Sequence, residues 1–148
     1  LFPALITVSC KKMSIKSDSF STARKSGNGK TPATAIVIDP QIELKATDQL
    51  KITVNDNIRW FYMDLKKGQS YKFETSGKGD PTLYIYYESQ DDNAGGVSGE
   101  PVAIDWDSAY DNKNCVLNFR APRSEGYYLK LILYAGSSWS GNLKYQKK

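Results

Sequence analysis

The chain has 148 residues, 40% hydrophobic and 24% charged, which is enough apolar content for one globular domain with a core. Its formal charge of +4 is modest and partly reflects a basic amino-terminal stretch (Lys11, Lys12, Lys16, Arg24, Lys25, Lys30), whose charge is expected to solvate an arm rather than bind nucleic acid. The absence of His removes Ser-His-Asp and Cys-His mechanisms and most catalytic zinc sites, all of which need imidazole.

The first ten residues, Leu1 to Cys10, form an apolar run too short to span a bilayer, followed by Lys11-Lys12. The run resembles the tail of a secretory signal peptide without its charged start. Ser9-Cys10 followed by polar residues is similar to a bacterial lipoprotein processing site, in which the Cys carries the lipid. Thr7 departs from that pattern, which usually has Leu there. A plain secretory signal, or an apolar tail without a targeting role, is the alternative. Residues 11–31 are rich in Ser, Lys, Gly and Asn without periodicity, so they read as a solvated tether. Folding is therefore expected to start near Pro32, with one domain over residues 32–148.

From there the chain is a series of short apolar runs. Ten Tyr, three Trp and five Phe, with many Thr, Val and Ile, suit pleated, half-buried surfaces, and no stretch holds apolar residues at helical spacing. Strands are expected over Ala35–Asp39, Ile42–Leu44, Leu50–Val54, Arg59–Leu65, Ser70–Thr75 and Pro81–Tyr87. The polar, glycine-rich Ser89–Glu100 reads as the longest loop. Val102–Trp106, Cys115–Phe119, Tyr127–Tyr134 and Gly141–Gln146 complete the set. Many short strands with turn residues between them predict an all-β, antiparallel sandwich. Cys115 reads as a buried free thiol in its strand, not as a partner of Cys10.

Two groups of side chains are candidates for function. Asp80, Asp105, Asp107, Asp111 and Asn112 form an oxygen-rich group of the kind Ca²⁺ prefers. The Asp105-x-Asp107-x-x-x-Asp111 spacing lacks the glycine and distal Glu of an EF-hand loop. The competing reading, that these side chains accept backbone N–H bonds in turns, is favoured. The second group is aromatic. If Leu83, Ile85, Leu129, Leu131 and Leu133 face the core, alternation places Tyr84, Tyr86, Tyr128 and Tyr134 outside, with Trp139 in a loop of small residues. Such rings can stack on sugars or peptides. Cross-strand pairing that stabilises the sheet is the favoured competitor, and Trp60 and Trp106 read as structural. Asp91-Asp92 has no apolar pocket to raise a carboxyl pKa.

Five segments in order resemble the bacterial pre-peptidase C-terminal domain: Thr31–Ala35, Arg59–Leu65 with Lys67-Gly68-Gln69, Gly79–Tyr86, Ala103–Ser108 and Gly126–Leu131. The resemblance covers about Thr31 to Tyr145. It implies a jelly-roll-like sandwich, commonly appended to secreted peptidases, without catalysis of its own. Related collagen-binding modules of clostridial collagenases bind calcium, so Ca²⁺ is the implied cofactor and Asp80 the implied distant ligand. The expected function is an exported, non-catalytic binding or accessory module for protein, matrix or glycan. The alternative is a structural envelope lipoprotein. An exposed tyrosine patch continuous with Trp139 favours binding, and a covered one favours the structural reading.

Overall fold

The computed structural model describes residues 24–39, 45–46, 50–52, 56–105, 114–133 and 138–148. Among the described residues ten strands run in chain order: β1 Ile36–Val37, β2 Lys45–Ala46, β3 Leu50–Ile52, β4 Ile58–Leu65, β5 Ser70–Lys78, β6 Pro81–Tyr87, β7 Ala103–Asp105, β8 Val116–Arg120, β9 Glu125–Leu133 and β10 Trp139–Lys147. They form two sheets. One has the order β1-β4-β9-β6-β7. The other has β2-β10-β5-β8, with β3 also pairing β10. All these pairs are antiparallel except β1 with β4. The expected all-β sandwich is therefore the observed fold.

Alternation explains which side of each strand is inside. In β5, Tyr71, Phe73 and Thr75 are buried while the residues between them are more open. Leu83, Ile85, Leu129, Leu131 and Leu133 enter the core between the sheets, as the pattern predicts. Phe61, Met63, Leu65, Leu117, Phe119, Leu143 and Tyr145 meet them there. Each fully buried large apolar side chain contributes about 1.5–3 kcal/mol, so this layer dominates folding. Cys115 is buried, as expected, and its Sγ lies within hydrogen-bond reach of the Pro81 and Asp105 carbonyls.

Two expectations are corrected by packing. Trp139 does not sit in an exposed loop: β10 begins at Trp139, whose side chain lies in the core and is 1% exposed. Ser140 and Gly141 continue the strand instead of forming a turn, and Gly141 makes room for the bulky ring. Gly141 lies opposite Gly77, and a Cβ on Gly141 would overlap the Ser76 carbonyl and crowd the indole. The domain also begins before Pro32. Gly27 N–H donates to the Ala35 carbonyl (3.1 Å), Gly29 N–H to Thr34 (2.6 Å) and Trp60 N–H to Gly29 (2.6 Å). Gly29 has φ +75° beside the Trp60 carbonyl, a conformation and a closeness that favour glycine. Residues 24–31 are thus part of the folded unit. Pro32–Thr34 follow as one 3₁₀ turn capped by Thr31.

Candidate functional site: a covered aromatic face and the loop it supports

The face of the first sheet that points away from the core is aromatic. Register aligns Tyr62, Tyr128 and Tyr86 in one row, and Trp60, Lys130, Tyr84 and Ile104 in the next. Trp60 meets Tyr128 edge-on at 6.0 Å, Tyr62 meets Tyr128 at 5.8 Å, and Tyr84 stacks on Tyr86 at 6.2 Å. Lys130 Nζ lies 5.3 Å from the Trp60 ring and 5.6 Å from Tyr84, and burial holds its ammonium below the ordinary lysine range. Trp60, Tyr62, Tyr86 and Tyr128, with Ala35, make a second buried cluster. Tyr84 is half-buried, and Ile104 is the exposed large apolar residue of the row.

A segment of the chain's own covers the first row. The Arg24 guanidinium lies 4.2 Å from the centre of the Tyr62 ring and 5.0 Å from that of Tyr128, in cation–π geometry. It also donates to the Pro32 carbonyl and pairs with Glu88 at 3.4 Å. Beneath it, the Tyr62 hydroxyl is shared between the Asp64 (3.1 Å) and Glu88 (3.0 Å) carboxylates. Burial, then the Asp64 and Glu88 carboxylates, push the Tyr62 phenol far above its usual value. Gly126 leaves the space for this junction, because a Cβ there would overlap Glu88 and the Tyr62 hydroxyl.

The loop after β6 is built on the same cluster. Glu88–Gln90 form a 3₁₀ turn, and the Tyr128 hydroxyl donates to Asp91 Oδ2 at 3.1 Å. Val97 packs against the aromatic cluster from the loop's return limb, which pairs with Asp91 through an antiparallel bridge. The loop then closes on its own side chains. Gln90 Nε2 donates to the Ser98 and Glu100 carbonyls, and its Oε1 accepts the Tyr87 N–H. Asp91 accepts from the Asn93 N–H, and Asp92 from the Ala94 and Gly96 N–H groups. Asn93 (φ 57°) and Gly95 (φ 96°) make the left-handed turns at the tip. Asp92 to Gly95 are exposed. A shallow, open depression lined by Arg24, Lys25, Ala33, Glu88, Asp91 and Tyr128 separates this loop from the covering segment.

Of the predicted aromatic residues, Tyr84, Tyr86 and Tyr128 share the outer face, but they are not an open platform. Tyr86 is 7% and Tyr128 1% exposed, because Arg24 and the loop lie over them. Trp139 belongs to the core, and Tyr134 lies outside the described residues. Trp60 is structural, as expected; Trp106 lies outside the described residues. Of the acidic group, Asp105 Oδ2 accepts the Val116 N–H at 2.8 Å, and Asp80 sits between β5 and β6. Asp107, Asp111 and Asn112 lie outside the described residues. Among those described, no three Asp, Glu, Cys or His side chains form a group that could hold a metal. Cys10 and its lipidation also lie outside the described residues. Sequence reasoning misses Arg24, which it assigns to solvation, and Gln90. Gly27 and Gly29 are the available signal for the first, and the Asx-Gly composition of residues 91–96 for the second.

No protein-family model matches the sequence, and no curated protein matches it. Solved structures do. The pre-peptidase C-terminal domain of a collagenase from Bacillus anthracis superposes with a TM-score of 0.54 at 14% identity, over 77% of this chain and 94% of that one. PliG of Aeromonas hydrophila, a periplasmic inhibitor of g-type lysozyme, gives 0.57 at 12% identity, over 76% of this chain and 96% of that one. At these identities the likeness shows the fold alone, a two-sheet β-sandwich that both structures share, as the sequence reading expected.

Proposed function

We propose that this chain is an exported, non-catalytic module that binds a protein partner through the Glu88–Glu100 loop. The observation that carries the reading is the loop's self-closure: Gln90, Asp91 and Asp92 bond its own backbone while the tip stays exposed. A loop already held in one shape loses little conformational entropy on binding, so its contacts go into affinity. The likeness to the pre-peptidase C-terminal domain of a collagenase and to a periplasmic lysozyme inhibitor supports an extracellular protein as the partner class. Export with Cys10 as the lipid attachment point belongs to this reading, and mass spectrometry of the mature terminus tests it.

The binding test uses collagen and a g-type lysozyme as probes, with a neutral glycan as control. Binding of one protein probe is expected, and Asn93→Arg with Ala94→Arg should abolish it while Tyr84→Ala leaves it intact. Failure of both proteins to bind, or binding that ignores the tip substitutions, contradicts the reading. One observation favours the alternative of a purely structural envelope protein. The aromatic face is covered by the chain itself, and Trp139 is spent on the core.

A further inference from the structure

The outward positions of β5, β8 and β10 make a second surface on the opposite side of the molecule. Register brings Lys78 beside Ser140, Lys144 beside Glu74, Lys72 between Gln146 and Asn118, and Arg120 beside Ser70. Lys51 of β3 occupies the register position next to Ser140. Among the described outward residues of β5, β8 and β10 the single acid is Glu74, which pairs with Lys72 at 2.7 Å. The side chains interleaved with the cations are amides and hydroxyls: Ser76 opposite Asn142, and Asn118 and Gln146 flanking Lys72. Acids gather instead on the other side, at Asp64, Glu88, Asp91 and Asp92 around the covered aromatic row. Cations lie on that side too, Arg24 over the row and Lys130 within the aromatic face, so what distinguishes the second surface is that its cations are interleaved with neutral polar side chains.

We infer that this flat basic face binds an anionic polysaccharide. Cations about 20 Å apart along β5, on strands about 4.8 Å apart, suit a linear chain of spaced negative charges. The interleaved amides and hydroxyls supply donors and acceptors for sugar hydroxyls and carboxylates, which a purely electrostatic surface would not need. The described outward positions carry no aromatic ring on which nucleic-acid bases could stack. Val116 is their sole aliphatic side chain, and it is half-buried, so a bilayer finds no apolar anchor there.

The test measures binding of the whole chain to alginate, a carboxylated polysaccharide, beside dextran, anionic phospholipid vesicles and single-stranded DNA. Alginate binding at low salt is expected, weakened by about tenfold or more at high salt, because exposed charges are screened. Lys72→Gln with Lys78→Gln and Lys144→Gln should weaken it by about tenfold with an unchanged melting curve, and the same three positions as Arg should restore it. The loop-tip substitutions should leave it untouched, which separates this surface from the protein-binding loop. The inference fails if alginate does not bind, if the Gln variant binds as the native chain does, or if dextran, vesicles or DNA bind as tightly.

Discussion

Replacing Arg24 by Ala tests whether the amino-terminal segment belongs to the domain. The guanidinium makes two cation–π contacts, one hydrogen bond to the Pro32 carbonyl and one part-exposed ion pair with Glu88. A cation over a partly desolvated ring contributes about 0.5–2 kcal/mol and a hydrogen bond from a charged donor about 1.5 kcal/mol. The Arg24–Glu88 pair, open to solvent on the Glu88 side, adds less than about 1 kcal/mol. Allowing for the ordering of a long side chain, a loss of about 2–3 kcal/mol is expected, or about 5–10 °C in melting temperature at this chain length. Arg24→Lys keeps the charge but loses the planar stacking, so it should fall between the two. The assay is thermal unfolding by circular dichroism, with near-ultraviolet spectra to report on Tyr62 and Tyr128. A melting curve unchanged in Arg24→Ala refutes the packing argument and returns residues 24–31 to the status of a tether.

Three further outcomes follow from the same geometry. Trp139→Ala should cost about 3–5 kcal/mol by urea unfolding, whereas Trp139→Phe, with roughly 40 Å³ less volume and an indole N–H that has no partner to lose among the described residues, should cost about 1 kcal/mol; equal, negligible effects would put Trp139 back on the surface. Asp105→Ala should destabilise by about 1–2 kcal/mol equally in Ca²⁺ and in chelator, because it removes the hydrogen bond that the Val116 N–H donates to the Asp105 carboxylate; a loss seen only with Ca²⁺ would instead reveal a cation site. Burial raises the phenols of Tyr62, Tyr86, Tyr127, Tyr128 and Tyr145. Above the ordinary tyrosine value of about 10, the unfolded chain therefore releases protons that the folded chain keeps, and stability falls as pH rises. Absorbance at alkaline pH should show these rings ionising together with unfolding; smooth ionisation at the ordinary value would mean they are exposed.

The fold is legible because β5 alternates cleanly, and because β4, β6 and β9 carry apolar residues at every second, core-facing position even though their other face is largely buried too. Alternation also puts Tyr84, Tyr86 and Tyr128 on the correct face. It cannot say what lies over that face, since the cover comes from Arg24 and a loop distant in sequence. Trp139 misleads for a related reason. Gly and Ser around a tryptophan signal a turn locally, but here Gly141 leaves the space for its ring, and Gly77 opposite lets the two strand backbones approach closely. The loop's importance is half visible. Its Asp, Asn and Gly residues announce turns, whereas the reach of Gln90 to Ser98 and Glu100 depends on three-dimensional closure.

Amide hydrogen exchange along residues 90–100 tests most directly whether the Glu88–Glu100 loop is a pre-ordered binding element. The N–H groups of Asp92, Ala94, Gly96 and Ser98 all donate within the loop, so they should exchange well below coil rates. Gln90→Ala should release that protection while Leu129 and Leu131 in the core keep theirs. Coil-rate exchange of these four amides in the native protein would contradict the account, because a loop without a fixed shape cannot be the pre-organised site it describes.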